Sequence, residues 1–339
     1  MERSERAVKN LKHFTIFVLS LATFSLAWSG HEAYTYLVVR SLPIDVDKLV
    51  QITPYTYKET RIYNEKHYYK DDFAGKRKFF DDLGDGVFPP DPEPVDGKLP
   101  VWQILTIYAQ FPDFGMDEEL NLSPLQALIG NSQGVRHMRY KLGPIEAFEG
   151  DRSFVHFVNM SREAFKKGDE YWGYRFLSYA IHYLEDLFQP YHNSPGTFWE
   201  VLSGLFDKKV MRMLNNAHYT YDNYLLFLVY YSKHAEDVRE IIRQTQPRFV
   251  SGDPEKLIYE VMMYGYYKFP EVHREVRRAF SGILETRVPS MDDFKKLEGE
   301  GKLDKLLKIT LDIVQTMTAV LKGFLITEIS RIGQTIQQN

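Results

Sequence analysis

Residues 182–192 read HYLEDLFQPYH and concentrate side chains that can bind a metal. His182 and Asp186 stand four residues apart, so a helix puts an imidazole and a carboxylate on one face, a turn from each other. Pro190 ends or bends that helix and sends His192 where the helix alone could not. Nitrogen and oxygen donors at this spacing suit zinc, which takes His and Asp at about 2.0–2.2 Å. Iron, manganese and nickel accept the same donors. A lone His-x-x-x-Asp is equally well a helical ion pair. The Gln-Pro-x-His ending makes the metal reading much stronger.

His218 and Asp222 in NNAHYTYDNY repeat the one-turn spacing. Alone they would read as a hydrogen-bonded pair; beside the first motif they become a second ligand pair. Upstream, Asp113 in FPDFGMD and His137 in GVRHMRY add a carboxylate and an imidazole, with Asp117 as the alternative to Asp113. Near the start lies Trp28-Ser-Gly-His31. A free amine at Trp28, with its own carbonyl, could chelate a metal that His31 lies close enough to join. Glu32 and Glu185 flank expected ligands and could orient their histidines. His67, His156, His234 and His273 read as ordinary surface or hydrogen-bonded core residues.

A free amine at Trp28 requires the leader to come off. Arg3, Arg6, Lys9 and Lys12 precede an uncharged run from Phe14 to Ala27, with small Ser25 and Ala27 where a signal peptidase cuts. That run is short of the ~20 residues a spanning helix needs. Residues 1–27 are therefore expected to be a signal peptide, with a retained membrane anchor as the alternative. Export to the outside or the cell surface follows. The 339 residues contain no cysteine, which removes disulfides, thiolate zinc sites and cysteine nucleophiles from consideration. A formal net charge of -4 supplies no global field for duplex nucleic acid.

The elements that must hold these residues are helical. Segments 153–189, 209–245, 253–283 and 302–335 space apolar residues at three and four and lack the alternation of strands. Residues 81–100, rich in Pro, Gly and acid, read as a loop whose spacing does not match an EF-hand. Further breaks are expected at Gly143-Pro144, Gln189–Gly196, Gly252–Pro254 and Pro289. The apolar C-terminal stretch carries Lys308, Asp312, Gln315 and Lys322, so an amphipathic helix packed on the core is expected. Contact with a membrane surface stays open for it. The expectation is an all-α chain with one multi-helix domain over residues 28–339, its metal ligands within 28–222 and C-terminal helices over 223–339.

These motifs together resemble the zinc-dependent phospholipase C and single-strand nuclease superfamily. Its hallmark is His-Tyr/Phe-x-x-Asp-x-x-Gln-Pro-x-His, which HYLEDLFQPYH fits throughout. A mature N-terminal Trp, an early His, an Asp and a His before the hallmark, and a His-x-x-x-Asp/Glu after it occur here in the family's order, from Trp28 to Asp222. The resemblance implies a helical domain with a buried cleft for three zinc ions. The first would be held by Asp113, His137, His182 and Asp186, and the second by His192, His218 and Asp222. The third would take the Trp28 amine and carbonyl, His31 and a bridging Asp186. It also implies phosphoester hydrolysis by a metal-activated hydroxide, with Asp113 orienting or deprotonating the attacking water.

Within that resemblance, the lack of cysteine and the acidic balance favour a secreted phospholipase C over the nucleases, whose secreted members commonly carry disulfides. The substrate expected is a phospholipid or another phosphodiester. The alternative is a single-strand nuclease or nucleotidase, with bases stacking on cleft tyrosines. A third reading is a membrane-tethered helical protein that keeps the metal site for structure alone.

Overall fold

Segment 170–188, EYWGYRFLSYAIHYLEDLF, carries large apolar side chains over most of its circumference and gathers Arg175, Ser178, His182, Glu185 and Asp186 along one side. In the computed structural model every residue from Tyr171 to Phe188 is buried. Residues 30–57, 86–89, 94–117, 120, 122–123, 133–143 and 145–338 are described. The expected leader and Trp28 lie outside them.

In chain order, α1 (His31–Arg40) leads to strand β1 (Leu49–Gln51). After β2 (Lys98–Pro100) and α2 (Val101–Ile107), a 3-10 helix runs over Tyr108–Phe114. Helix α3 (Gln133–His137) precedes strands β3 (Tyr140–Leu142) and β4 (Ile145–Ala147). The main helices follow: α4 (Gly150–Lys166), α5 (Glu170–Phe188), α6 (Pro190–Asn193), α7 (Phe198–Gly204), α8 (Lys208–Tyr230) and α9 (Ala235–Gln244). The chain ends in α10 (Pro254–Ala279), α11 (Met291–Gly299) and α12 (Asp304–Gln338).

The fold is mostly helical, as the periodicity predicts, with two corrections. Two short antiparallel ladders, β1–β2 and β3–β4, occur where no strand is expected. One of these strands, Lys98–Pro100, closes the segment read as pure loop; three residues are too few for alternation to show. Two of the long segments divide: 209–245 into α8 and α9 at residues 231–234, and 153–189 into α4 and α5 at Gly168, whose φ of 77° suits a residue without Cβ. Asp169 caps α5 by accepting from Trp172 N at 3.3 Å. The buried apolar side chains form one continuous core from Ala33 to Leu325, with a small satellite of Met138, Tyr140 and Phe148.

The C-terminal helix packs on this core, as expected. Asp304–Arg331 is apolar and long enough to span a bilayer by composition, but 67% of its most apolar window is buried within the protein. Lys308, Asp312 and Gln315 face solvent. Lys322 departs from that pattern. It is buried, and its Nζ donates to the carbonyls of Arg243 and Thr245 at 2.8 Å each, where α9 ends. A cation at a helix C-terminus meets the negative end of the helix dipole.

One close approach sets the corner between α5 and α6 that leads to His192. Gly265 of α10 lies so near the α5–α6 turn that a Cβ there would come 2.3 Å from Asn193 Nδ2 and 2.8 Å from Leu187 O. Asn193 Nδ2 ties the same turn together by donating to Leu187 O and Gln189 O. Alanine normally stabilises a helix interior over glycine by about 1 kcal/mol. Gly265→Ala is expected to reverse that sign and cost about 1–3 kcal/mol through overpacking. Denaturant unfolding of the variant checks the sign.

Candidate metal centre

Buried polar groups on a helix that is covered on all sides must find partners or ligands. On α5 Arg175 donates to the Tyr171 and Tyr179 hydroxyls and Ser178 to the carbonyl of Leu105, which leaves His182, Glu185 and Asp186. His182 and Asp186 meet as their spacing predicts, with His182 Nε2 at 3.1 Å from Asp186 Oδ2. At the end of α5, Gln189 takes the extended conformation (φ -71°, ψ 119°) that a following proline favours. Its side-chain oxygen accepts from Tyr191 N and starts α6, while its Nε2 donates to Asp222 Oδ1 at 2.6 Å. Gln189-Pro190 thus turns the chain and orients a ligand at once. His192, two residues later, points its Nδ1 back to Asp186 Oδ1 at 3.3 Å.

Asp186 is the hub. Its Oδ2 lies 3.0 Å from His137 Nδ1 as well as facing His182, and its Oδ1 lies 3.5 Å from His31 Nε2. Asp113, on the 3-10 helix, aims Oδ1 at His182 Nε2 (3.4 Å) and His137 Nδ1 (3.6 Å), and Oδ2 at His31 Nε2 (3.9 Å). A further group lies across His192. His218 Nε2 stands 3.3 Å from Asp222 Oδ2, and His192 Nε2 stands 3.8 Å from Asp222 Oδ1.

Each of the three histidines around Asp113 is held from behind. Glu185 Oε2 lies 2.5 Å from His31 Nδ1, and Glu185 Oε1 accepts from Thr35 at 2.7 Å. The carbonyl of Ala109 lies 2.8 Å from His182 Nδ1. Asp117 Oδ2 lies 3.1 Å from His137 Nε2, and is itself held by Arg136 Nε at 2.7 Å and by the Tyr183 hydroxyl at 2.6 Å. An acceptor behind each ring fixes its tautomer and leaves the other nitrogen for the interior, the usual arrangement of metal-ligating histidines.

All the described sequence-predicted ligands come together: His31, Asp113, His137, His182, Asp186, His192, His218 and Asp222. The choice between Asp113 and Asp117 falls to Asp113, because Gly115 (φ 79°) ends the 3-10 helix and sends Asp117 behind His137. Of the two flanking glutamates, Glu185 orients His31, whereas Glu32 accepts from the Tyr230 hydroxyl at 3.3 Å. The sequence reading missed Arg136, Tyr183, Thr35 and the Ala109 carbonyl; residue type alone gives no signal for any of them. His273 is buried as expected, bridging Tyr191 Oη (3.0 Å) and Glu200 Oε2 (2.9 Å).

The electrostatics suit cations. Burial lowers His31 to about 3 and His192 to about 4, and it also pushes His182 and His218 down, so four imidazoles stay neutral, as ligands must. Burial works against charge on His137 too, but Asp117 outweighs it with help from Asp186 and raises it to about 10. Asp186 stays ionised because His182, His192 and His137 more than offset its burial. Burial raises Asp113 and Asp222, and the nearby Asp186 charge adds to this.

Three groups therefore could each hold a metal ion: His31, Asp113 and His182; His137, His182 and Asp186; and His192, His218 and Asp222. Within each group the donor atoms lie within 4.8 Å of one another. Among the described residues, Asp186 Oδ1, both ring nitrogens of His192, His218 Nε2 and Asp222 Oδ2 are buried without a hydrogen bond. Such atoms are costly unless something unites them, and imidazole nitrogen with carboxylate oxygen is the donor set of zinc and similar ions. The side chains of Asp113 and His218 are 15% and 9% exposed, whereas those of the other six are 0–3%, so the centre opens to solvent at these two residues.

Glu185→Gln tests the support behind His31. One amide end has no lone pair to offer, so it cannot accept from both Thr35 and His31. A 10–100-fold loss of metal affinity at the His31 position is expected, read by competition with a chromogenic chelator. No protein-family model matches this chain, and no curated protein matches it.

Proposed function

We propose that the protein is an exported metal-dependent phosphodiesterase of phospholipase C type, cleaving phospholipids at the glycerol–phosphate bond with zinc held in this centre. The observation that carries the reading is Asp186, whose two oxygens face four histidines and join the groups into one cluster beside a partly exposed Asp113. His137, His182, Asp186 and Asp113 would hold one ion, and His192, His218 and Asp222 a second. His31 and Asp186 would hold a third, with the Trp28 amine and carbonyl. Zinc bound there supplies a nucleophile from water at neutral pH and draws electron density from the phosphoryl oxygens.

The protein's own groups do the rest. Asp113 faces the interior with both oxygens and lies on the open side, where it accepts a proton from the attacking water. Glu185, Asp117 and the Ala109 carbonyl keep the imidazoles fixed, so little reorganisation accompanies the reaction. The water oxygen bonds to phosphorus as the bond to the glycerol oxygen breaks. That oxygen takes up a proton and leaves as the hydroxyl of diacylglycerol, and the phosphorylated headgroup is the second product.

The deciding experiment compares phosphatidylcholine vesicles with single-stranded DNA, using protein stripped by chelation and then resupplied with zinc. Zinc-restored release of phosphorylated headgroup from lipid alone is the expected result. Cleavage of DNA alone would assign the same centre to a nuclease, and silence on both substrates with zinc bound would make the centre structural.

A further inference from the structure

Between His192 and His218 the chain forms α7, a short helix with apolar residues on opposite sides. A capping box starts it: the Thr197 hydroxyl accepts from Glu200 N, and Glu200 accepts from Thr197 N at 2.9 Å. Val201 and Gly204 face inward, and Val201 lies beside Gly196 and Leu214. The outward side is also apolar. Phe198 is 52% exposed, Trp199 72%, Leu202 39%, and Phe206 just past the helix 87%. Water-facing aromatic groups clustered over nine residues are a cost that a monomer ordinarily avoids.

The charges beside this patch are misplaced for helix stability. Lys208 and Lys209 occupy the first turn of α8 and Arg212 the next, where the positive end of the helix dipole repels them. All three are exposed, and among the described residues none has an ion-pair partner. A Trp-Phe-Leu-Phe surface bordered by unpaired cations matches the interface of an anionic bilayer. There, aromatic rings settle at headgroup level while lysine and arginine meet phosphates.

We infer that α7 and the start of α8 form a docking surface for anionic phospholipid membranes. The patch is linked to the metal centre by a series of hydrogen bonds. Glu200 accepts from His273 at 2.9 Å and from Arg277, His273 contacts Tyr191 Oη at 3.0 Å, and Tyr191 precedes the ligand His192. Docking at α7 therefore holds the second metal group at a fixed place relative to the lipid surface. This rests on reading the centre as a lipid phosphodiesterase, but its test measures binding rather than turnover.

The test is co-sedimentation of the full chain with vesicles of phosphatidylcholine alone or with one quarter phosphatidylglycerol. The double variant Trp199→Ala, Phe206→Ala is expected to lose about tenfold or more in partitioning to both vesicles. Lys208→Gln with Lys209→Gln is expected to lose about thirtyfold on anionic vesicles and nothing on neutral ones, and wild-type binding to anionic vesicles is expected to weaken with salt. An unchanged melting temperature in both variants verifies folding. Partitioning that ignores both pairs overturns the proposal. So does an aromatic variant whose only change is loss of self-association in ultracentrifugation, or loss of retention of a single-stranded oligonucleotide without loss of lipid binding. Protein that hydrolyses lipid but partitions independently of these residues refutes the docking surface alone. Protein that docks as expected and hydrolyses no lipid refutes the activity alone.

Discussion

Asp186→Asn is expected to remove at least one metal ion per chain and to lower turnover by more than about a thousandfold, equivalent to about 4 kcal/mol of lost transition-state stabilisation. Asparagine keeps the shape, so the buried helix is not disturbed by a void. Its amide nitrogen has no lone pair to donate, and only one end can still ligate. In this structure both ends are used: Oδ1 faces His31 and His192, and Oδ2 faces His137 and His182. Elemental analysis after dialysis gives the stoichiometry, and turnover of a phosphodiester gives the rate. An unchanged metal content would mean that Asp186 does not bridge, and the single-cluster reading would fall.

Asp113→Asn is expected to separate chemistry from assembly. Turnover should fall by about 10²–10⁴, the usual contribution of a positioned proton acceptor. The fold should tolerate the change, because burial and Asp186 already disfavour a charge on Asp113 in the metal-free protein and a neutral amide matches its protonated form. Metal content should fall by no more than the ion it helps to hold. Single-turnover rates and thermal melts on one preparation test both halves of the expectation. Full activity in this variant would remove Asp113 from the mechanism.

How much of this centre was legible beforehand varies with how local the information is. His182 and Asp186, and His218 and Asp222, could be paired from spacing because a helix fixes which residues share a face, whatever surrounds it. Pro190 was readable for the same reason: its ring restricts the backbone on either side. The burial of α5 on all sides was not legible, because one side of it carries Arg175, His182, Glu185 and Asp186 and is covered only by the elements packed on it. Short ladders such as β1–β2 were not legible, since three-residue strands leave no periodicity to detect.

The choice between Asp113 and Asp117 lay beyond the sequence. Both sit in FPDFGMD, and the direction of each depends on where the 3-10 helix stops and how Gly115 turns the chain. Glu32 and Glu185 had equal claims by adjacency to a ligand, and packing of α1 across α5 gave the role to Glu185. Lys322 could be read as a solvent-facing break in an apolar run, until the end of α9 put two carbonyls beside its ammonium group.

By itself, the sequence determined the helical class, the residue types able to ligate a metal, their order along the chain and the pairs one helical turn apart. These follow from steric and periodic rules acting over a few residues. Tertiary structure alone decided which distant pairs meet, which ring nitrogen faces inward, which carboxylate faces the candidate metal groups and which stands behind a histidine, and which apolar face stays uncovered at α7. Those outcomes depend on burial, which raises the cost of each unpartnered charge and is set by all the packed elements together.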